Sequence, residues 1–287
     1  MEFVSGTELI KILFTIAVST VSLAIFTIIW DKKQEDVNLE IIVAWGMIIC
    51  SPLTFIGIVK AEFGKFVAFK GFWLGPLVEA RLVWALMESP NLVFAAVYGY
   101  LYGFKSTTNL LMFGMFVFHY TYRTLIYPLR LAKSNKVPLF IGFMAFIYTT
   151  INGFLQSYTL CASKQHQYED KWLRSPQFII GSAIWAAGWL INYHSDLILI
   201  NLRKPGETGY KIPQGGMFEY VTCAHYFGEI MEWSGYAIAC WSLPAVAFAA
   251  FVFGNLASRA LVNRKWYVSK FGDEYPQDRK AVIPFLL

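Results

Sequence analysis

Ionisable and amide side chains inside long apolar stretches are costly unless they have a task, so they are the first residues to read. Asn192 and Asp196 are four residues apart and share one helix face, with His194 and Ser195 lying between them and pointing elsewhere. Arg203 and Lys204 follow shortly. An amide and a carboxylate above a basic loop could hold a nucleotide, with Asn and Asp on ribose or amide and Arg on phosphate. The same spacing also suits a helix-end ion pair between Asp196 and Arg203. His225, Glu229 and Glu232 form a second stripe at i, i+4 and i+7. His and carboxylate are zinc ligands, but none of the other histidines, His119, His166 and His194, sits at ligand spacing. A polar cavity facing a ligand is the better reading, and no metal is expected. Tyr120 and Arg123 are three apart, with Tyr127 one further turn along. Tyrosine at membrane depth can be an interfacial anchor, and Arg123 could snorkel. Glu88 precedes Ser89 and Pro90 in an apolar run. It is either a partner for Arg123 or Arg81 or, kept neutral beside a Tyr hydroxyl, one of a donor pair for a substrate carbonyl. There is no G-x-G-x-x-G and no G-x-x-x-x-G-K-[ST], so any dinucleotide is held outside a Rossmann site. No Ser-His-Asp order or Cys-His pairing stands out.

The elements that must position these residues are membrane spans. The chain is 56% hydrophobic and 15% charged, with a mean hydropathy of +0.47. Soluble domains carry about 25% charged residues. The apolar residues fall in eight blocks, near 9–30, 41–59, 78–104, 108–128, 138–160, 178–201, 217–241 and 243–263, each about the length of a bilayer-crossing helix. The loops after the second, fourth, sixth and eighth blocks hold sixteen Lys and Arg against six in the opposite loops, with Arg81 and Arg259 counted as loop residues. The bias puts the C-terminus in the cytoplasm, and with eight spans the N-terminus also. The net charge of +5 is thus a matter of topology, and no nucleic-acid partner is expected. The first block has no basic n-region and no A-x-A site, so it reads as a retained helix. Cys50, Cys161, Cys223 and Cys240 show no CxxC or zinc spacing and read as buried thiols. No internal repeat is visible.

The segment NYHSDLILINLRKPGETGYKIPQGGMFEYVTCAHYFGEIMEWSGY, from Asn192 to Tyr236, closely resembles the steroid 5α-reductase family. So do WYVSKFGDEYPQDRKAVIPF (Trp266 to Phe285), HYTYRTLIYP (His119 to Pro128) and NGFLQ (Asn152 to Gln156). The resemblance covers approximately residues 60–287. It implies an all-α polytopic membrane bundle with a seven-span core and an NADPH-filled cavity open to the cytoplasm. Residues 1–38 then form an additional N-terminal helix and loop, and 39–287 the membrane domain. The resemblance places Glu88 and Tyr120 at the steroid 3-oxo group, Trp84 along the same pocket and Arg123 in support. It places Asn192, Asp196, Arg203, Tyr210, Glu229, Tyr267 and Arg279 on NADPH. Three positions depart from the family pattern. Its Gln-Glu pair is Met87 and Glu88 here. An Asn is replaced by His225 and a His by Asn263, both at the cofactor site and both still hydrogen-bonding side chains.

The activity this resemblance implies is reduction of the C4–C5 double bond of a 3-oxo-Δ4 steroid such as testosterone or progesterone. Glu88 and Tyr120 polarise the carbonyl, hydride goes to C5 and C4 is protonated. Membrane lipid is the surrounding medium, either a bacterial inner membrane or the endoplasmic reticulum, and no obligate protein partner is evident. Other readings keep the fold for a different lipid enone, an enoyl-CoA or a polyprenol. Two more distant ones are an isoprenylcysteine-type methyltransferase, which would carry paired glutamates where Asn263 and Arg264 stand, and a transporter, which would show inverted repeats.

Overall fold

A computed structural model describes residues 39–55, 75–131, 136–203, 207 and 209–287. The span expected over 9–30 lies outside them. The described helices are α1 (Leu39–Phe55), α2 (Ala80–Tyr102), α3 (Thr107–Thr121), the short α4 (Tyr127–Arg130), α5 (Leu139–Cys161), α6 (Pro176–Ile200), α7 (Ala224–Cys240) and α8 (Leu243–Phe271). A π-helical turn, Tyr122–Ile126, joins α3 to α4. The only described strands, β1 (Leu77–Glu79) and β2 (Lys136–Pro138), pair antiparallel. The helical membrane architecture expected from the sequence is therefore present. Among the described residues, three helices are long and apolar enough to cross a membrane: α2, α5 and α8 with the turn that follows it. The chain divides into two compact units, residues 1–43 with 61–170, and 44–60 with 171–287.

In the first unit, β1 leads straight into α2 and β2 straight into α5, so the ribbon starts both helices side by side. On α5 the exposed face is apolar: Leu139, Phe140, Phe143, Met144, Ile147 and Ile151. The polar residues Thr149, Asn152, Gln156 and Ser157 are buried. That inversion suits a helix in hydrocarbon, where polar atoms must be answered inside the protein. Gly153 brings α5 onto α2, because a Cβ there would lie 2.9 Å from Asn91 Cα. Glu40 at the start of α1 is buried and accepts from Ser163 (2.8 Å) and Thr159 (3.3 Å), with His166 Nδ1 3.5 Å away.

In the second unit, α6 and α7 run antiparallel and approach backbone to backbone. A Cβ on Gly188 would lie 2.7 Å from Glu232 Cα, and one on Gly228 2.8 Å from Asn192 Cα. Gly181 meets Gly235 O at 2.7 Å and Gly235 meets Gly181 O at 2.6 Å in the same sense. Two glycines seven residues apart on each helix thus form a single seam, as small residues do between membrane helices. Trp241 in the left-handed conformation (φ 46°) turns the chain, and Ser242 Oγ accepts from Ala245 N at the start of α8.

Two boundaries differ from the hydropathy blocks. The seventh block begins at 217, but α7 begins at Ala224. Gly215 (φ 88°) and Gly216 (φ 54°) break the chain, and residues 221–223 pair with the C-terminal tail, Thr222 N to Lys280 O at 2.8 Å and Cys223 N to Ala281 O at 3.1 Å. The eighth block ends at 263, but α8 continues through NRKWYVSK to Phe271 and stops at Gly272 (φ 53°). Hydropathy measures the buried length, whereas Lys and Arg keep a helix going into water and a positive-φ glycine ends it.

Gly188→Val is expected to lower stability by roughly 1–3 kcal/mol or more through overpacking, read as a fall in melting temperature in detergent. Gly114→Ala, whose Cβ would meet nothing within 4 Å, is expected to hold or gain up to about 1 kcal/mol.

Candidate active site

Glu88 sits where α2 is opened by a proline. Pro90 offers no N–H to Leu86 O, and Ser89 Oγ donates to that carbonyl instead (2.8 Å). Thr149 Oγ1 of α5 donates to Met87 O, and Asn91 Nδ2 to Glu88 O (3.4 Å). The Glu88 side chain is buried, with Arg123 Nη2 3.8 Å from its Oε1. The Arg123 guanidinium lies over the rings of Trp84 (4.7 Å) and Tyr127 (4.8 Å), whose centroids are 5.2 Å apart. The π turn makes this possible: its extra residue shifts the helix phase between Tyr120 and Tyr127, and Arg123 comes to lie beside both rings. Trp84 Nε1 is buried without a hydrogen-bond partner among the described residues. Tyr120 is buried, and its Oη accepts from Asn152 Nδ2 at 3.3 Å. All four residues expected at the carbonyl, Glu88, Tyr120, Trp84 and Arg123, thus belong to the first unit. Of the two partners considered for Glu88, Arg123 is the one present; Arg81 donates to Leu131 O.

The residues expected on a nucleotide all lie in the second unit. Asn192 and Asp196 are buried in the last turns of α6, and Asn192 Nδ2 donates to His225 O at 2.9 Å. His225 opens α7, its ring 4.1 Å from Tyr226 and 6.3 Å from Phe218. Glu229 is one turn further and half-buried, with Arg259 of α8 close enough to interact with it and with Tyr226. Arg203 is exposed and donates to Gly209 O (3.3 Å), so its loop rather than Asp196 holds it. Tyr210 meets Trp266 edge to face at 4.8 Å, and Tyr267 stacks on Tyr275 at 5.5 Å. Arg279 is buried, donating from Nη1 to Pro213 O (2.8 Å) with Nη2 3.5 Å from Glu219. Asn263 is committed along its own helix, donating to Arg259 O at 3.0 Å.

These side chains could hold a phosphate- and ribose-bearing cofactor. Arg279 Nε is buried with no hydrogen-bond partner among the described residues, and so is Ser195 Oγ. A buried cation and a buried hydroxyl, each with an unused donor, suit an anion. Among the described residues, no group of three or more His, Cys, Asp or Glu could hold a metal ion.

Several participants are not obvious from spacing along the chain. Ser195, expected to point elsewhere, is buried, because a residue three along from Asn192 lies on nearly the same stripe. Arg259 lies within α8 rather than in a loop. Asn152 and Gln156 are amides four apart inside an apolar block, the same signal that singled out Asn192 and Asp196. Thr222 and Tyr275 share a 2.6 Å hydrogen bond that ties the tail to the start of α7, and nothing local in the sequence pairs them. Arg264 clamps that tail through Arg279 O (2.7 Å) and Gln277 O (2.8 Å).

Burial pushes the Tyr275 phenol above its ordinary value of 10.0, partly offset by the Thr222 hydrogen bond. A raised folded-state value means that the neutral phenol stabilises the fold below pH 10.0 and that this contribution is lost as pH rises past it. Tyr275→Phe is expected to cost about 1 kcal/mol at pH 8. The gap from the unmodified protein should narrow in melts taken at increasingly alkaline pH.

The sequence profile of the 3-oxo-5-alpha-steroid 4-dehydrogenase family matches residues 135–287. The 3-oxo-5-alpha-steroid 4-dehydrogenase 1 of Macaca fascicularis is 49% identical over 213 residues, 73% of this chain and 80% of that protein. The protein of the same name from Bos taurus is 43% identical over 245 residues, 84% and 92% of the two chains. The steroid 5-alpha-reductase DET2 of Gossypium hirsutum is 42% identical over 218 residues, 74% and 84%. The resemblance carried by the 192–236 and 266–285 segments therefore extends over most of the chain, which belongs to the steroid 5α-reductase family of membrane oxidoreductases acting on CH–CH bonds.

Proposed function

We propose that this chain reduces the C4–C5 double bond of 3-oxo-Δ4 steroids, such as testosterone or progesterone, to 5α-dihydro products with NADPH. The observation that carries the reading is a buried carboxyl, Glu88, with Arg123 and half-buried Trp84 beside it, linked through Asn91 and Asn152 to a buried phenol, Tyr120, in a helical membrane protein. Glu88 and Tyr120 donate hydrogen bonds to the C3 carbonyl oxygen. Electron density then moves from the C4–C5 bond toward that oxygen, and the donors stabilise the charge that develops there. NADPH supplies the hydride that reaches C5, and C4 takes up a proton. The rings of Trp84 and Tyr127 take up the Arg123 charge, and its nearest nitrogen stays 3.8 Å from Glu88, beyond hydrogen-bond reach, so the carboxyl can keep the proton it donates. The surrounding apolar side chains exclude water, which keeps the donors strong and the enone desolvated.

Asn192, Asp196, Arg203, Tyr210, His225, Glu229, Asn263, Tyr267 and Arg279 form the NADPH site. Arg203 and Arg279 face phosphate, while Asn192 and Asp196 fix the neutral parts of the cofactor. The sixteen-to-six bias of basic residues supports a cytoplasmic C-terminus, on the side where the soluble cofactor is found. Residues 39–287 make up the enzyme, and 1–38 are an addition to it.

Purified protein given NADPH and testosterone should yield a product heavier by two hydrogens with an A/B-trans ring junction, identified by mass spectrometry against standards. NADPH binding without steroid turnover would redirect the reading to another lipid enone. Absence of NADPH binding by folded protein would remove it. Glu88→Gln and Tyr120→Phe are each expected to lower kcat by about 10²–10³ while leaving NADPH affinity unchanged. Arg203→Ala, at an exposed position, is expected to raise the KM for NADPH about tenfold, the effect of one charge-assisted contact, with the steroid KM and the melting temperature unchanged.

A further inference from the structure

We infer that Asn152 is a positioning residue: its amide, held by Gln156, sets the direction in which the Tyr120 hydroxyl donates its proton. This rests on the proposed role of Tyr120 at the substrate carbonyl. A phenol has one proton and an oxygen that accepts. A neighbouring amide can offer it either an N–H or a C=O. The two ends of an Asn side chain have nearly the same shape, so packing does not choose between them. Hydrogen bonds do.

Gln156, one turn along α5, donates from Nε2 to Asn152 Oδ1 at 3.4 Å. That turns the Asn152 oxygen toward Gln156 and the nitrogen the other way. The nitrogen then donates to Tyr120 Oη and to Asn91 Oδ1, 3.3 Å each. Asn91 in turn donates from Nδ2 to the backbone carbonyl of Glu88 at 3.4 Å. The three amides therefore point one way along a chain that runs from Gln156 to Asn91. Reversing any one would set oxygen against oxygen or N–H against N–H. Asn91 and Asn152 are fully buried and Gln156 is 1% exposed, so water cannot relieve such a clash. With Asn152 donating to its oxygen, the Tyr120 proton is directed away from Asn152. The bond received also strengthens the one that Tyr120 gives, since hydrogen bonds in series polarise each other. The chain ends on the backbone carbonyl of Glu88, so it ties the Tyr120 hydroxyl to the helix turn that carries Glu88.

The test is Asn152→Asp, which keeps the shape and replaces the donor by an acceptor. When ionised it draws the Tyr120 proton toward itself. The expected kcat falls by about 30- to 300-fold, within the range for loss of one donor to an oxyanion and no further than Tyr120→Phe. Steroid KM and NADPH affinity stay close to those of the unmodified protein, while the melting temperature falls, because a carboxyl oxygen now faces Asn91 Oδ1 at a fully buried position. As pH is lowered the introduced carboxyl takes up a proton and can again donate to Tyr120, so activity recovers; the unmodified protein shows no such limb. In the Tyr120→Phe background Asn152→Asp has no further effect. Unchanged kcat in Asn152→Asp, or a loss that adds fully to that of Tyr120→Phe, would overturn the inference. If Tyr120→Phe itself turns over normally, the proposed role of Tyr120 fails, whereas a collapse of Tyr120→Phe alone leaves that role intact and removes only the positioning by Asn152. Should Asn152→Asp not fold, Gln156→Glu asks the same question. Its carboxylate attracts the Asn152 nitrogen and inverts the amide, so a smaller kcat loss of the same sign is expected, and no loss would sink the idea.

Discussion

The close approach of helix backbones through glycine is the constraint on which the rest of this structure depends. Helices that meet backbone to backbone are held by packing and polar contacts at short range. Gly181, Gly188, Gly228 and Gly235 let α6 and α7 meet with no side chain between them. The site residues follow from that seam. Asn192 is one turn beyond Gly188, and its backbone is the surface that Gly228 meets. The side chain of Asn192 consequently reaches the His225 carbonyl at 2.9 Å, which a wider helix separation would forbid. Gly153 does the same for α5 against Asn91, and Asn152 beside it reaches both Asn91 and Tyr120.

A second constraint is that polar atoms at this depth need partners within the protein. Pro90 takes one donor from the α2 ladder, and the carbonyls around it are met by Ser89, Thr149 and Asn91. The opening that results is where Glu88 stands. The π turn after Tyr120 is a comparable departure from regular helix, and it is what puts Arg123 beside both Trp84 and Tyr127. Both irregularities are held by hydrogen bonds or ring contacts from neighbouring elements, so the proposed carbonyl donors sit on rigid helix rather than on loops.

Beyond the spans, the second unit is closed by its tail. Thr222 and Cys223 pair with Lys280 and Ala281, Arg264 grips the carbonyls of Gln277 and Arg279, and Tyr275 packs on Tyr267. Arg279 is thereby carried from near the end of the sequence to Pro213, and the residues that follow it pair with 220–223 just before α7. Under the proposed function the tail thus supplies a phosphate-binding cation from a part of the chain far from Asn192 and His225.

Much of this was legible in the residues themselves. Blocks of apolar side chains about one bilayer long, interrupted by Glu88, Asn192, Asp196, His225 and Glu229, state a helical membrane protein and mark where its polar chemistry lies, because hydrocarbon leaves a polar group few alternatives. The long segments at 192–236 and 266–285 stated the family. Spacing within one helix also held locally: Asn192 and Asp196 are both buried at the end of α6. What the sequence could not determine is whatever depends on two distant segments meeting. Arg123 rather than Arg81 beside Glu88, the Thr222–Tyr275 bond and the run of amides from Gln156 to Glu88 each join residues whose separation along the chain says nothing of their distance. Block edges were misplaced for a related reason, since α7 is shortened by a distant tail and α8 is lengthened past its apolar stretch. Hydropathy reports the solvent each residue prefers, one residue at a time, while the partner of a buried polar atom is decided only when the helices close against each other.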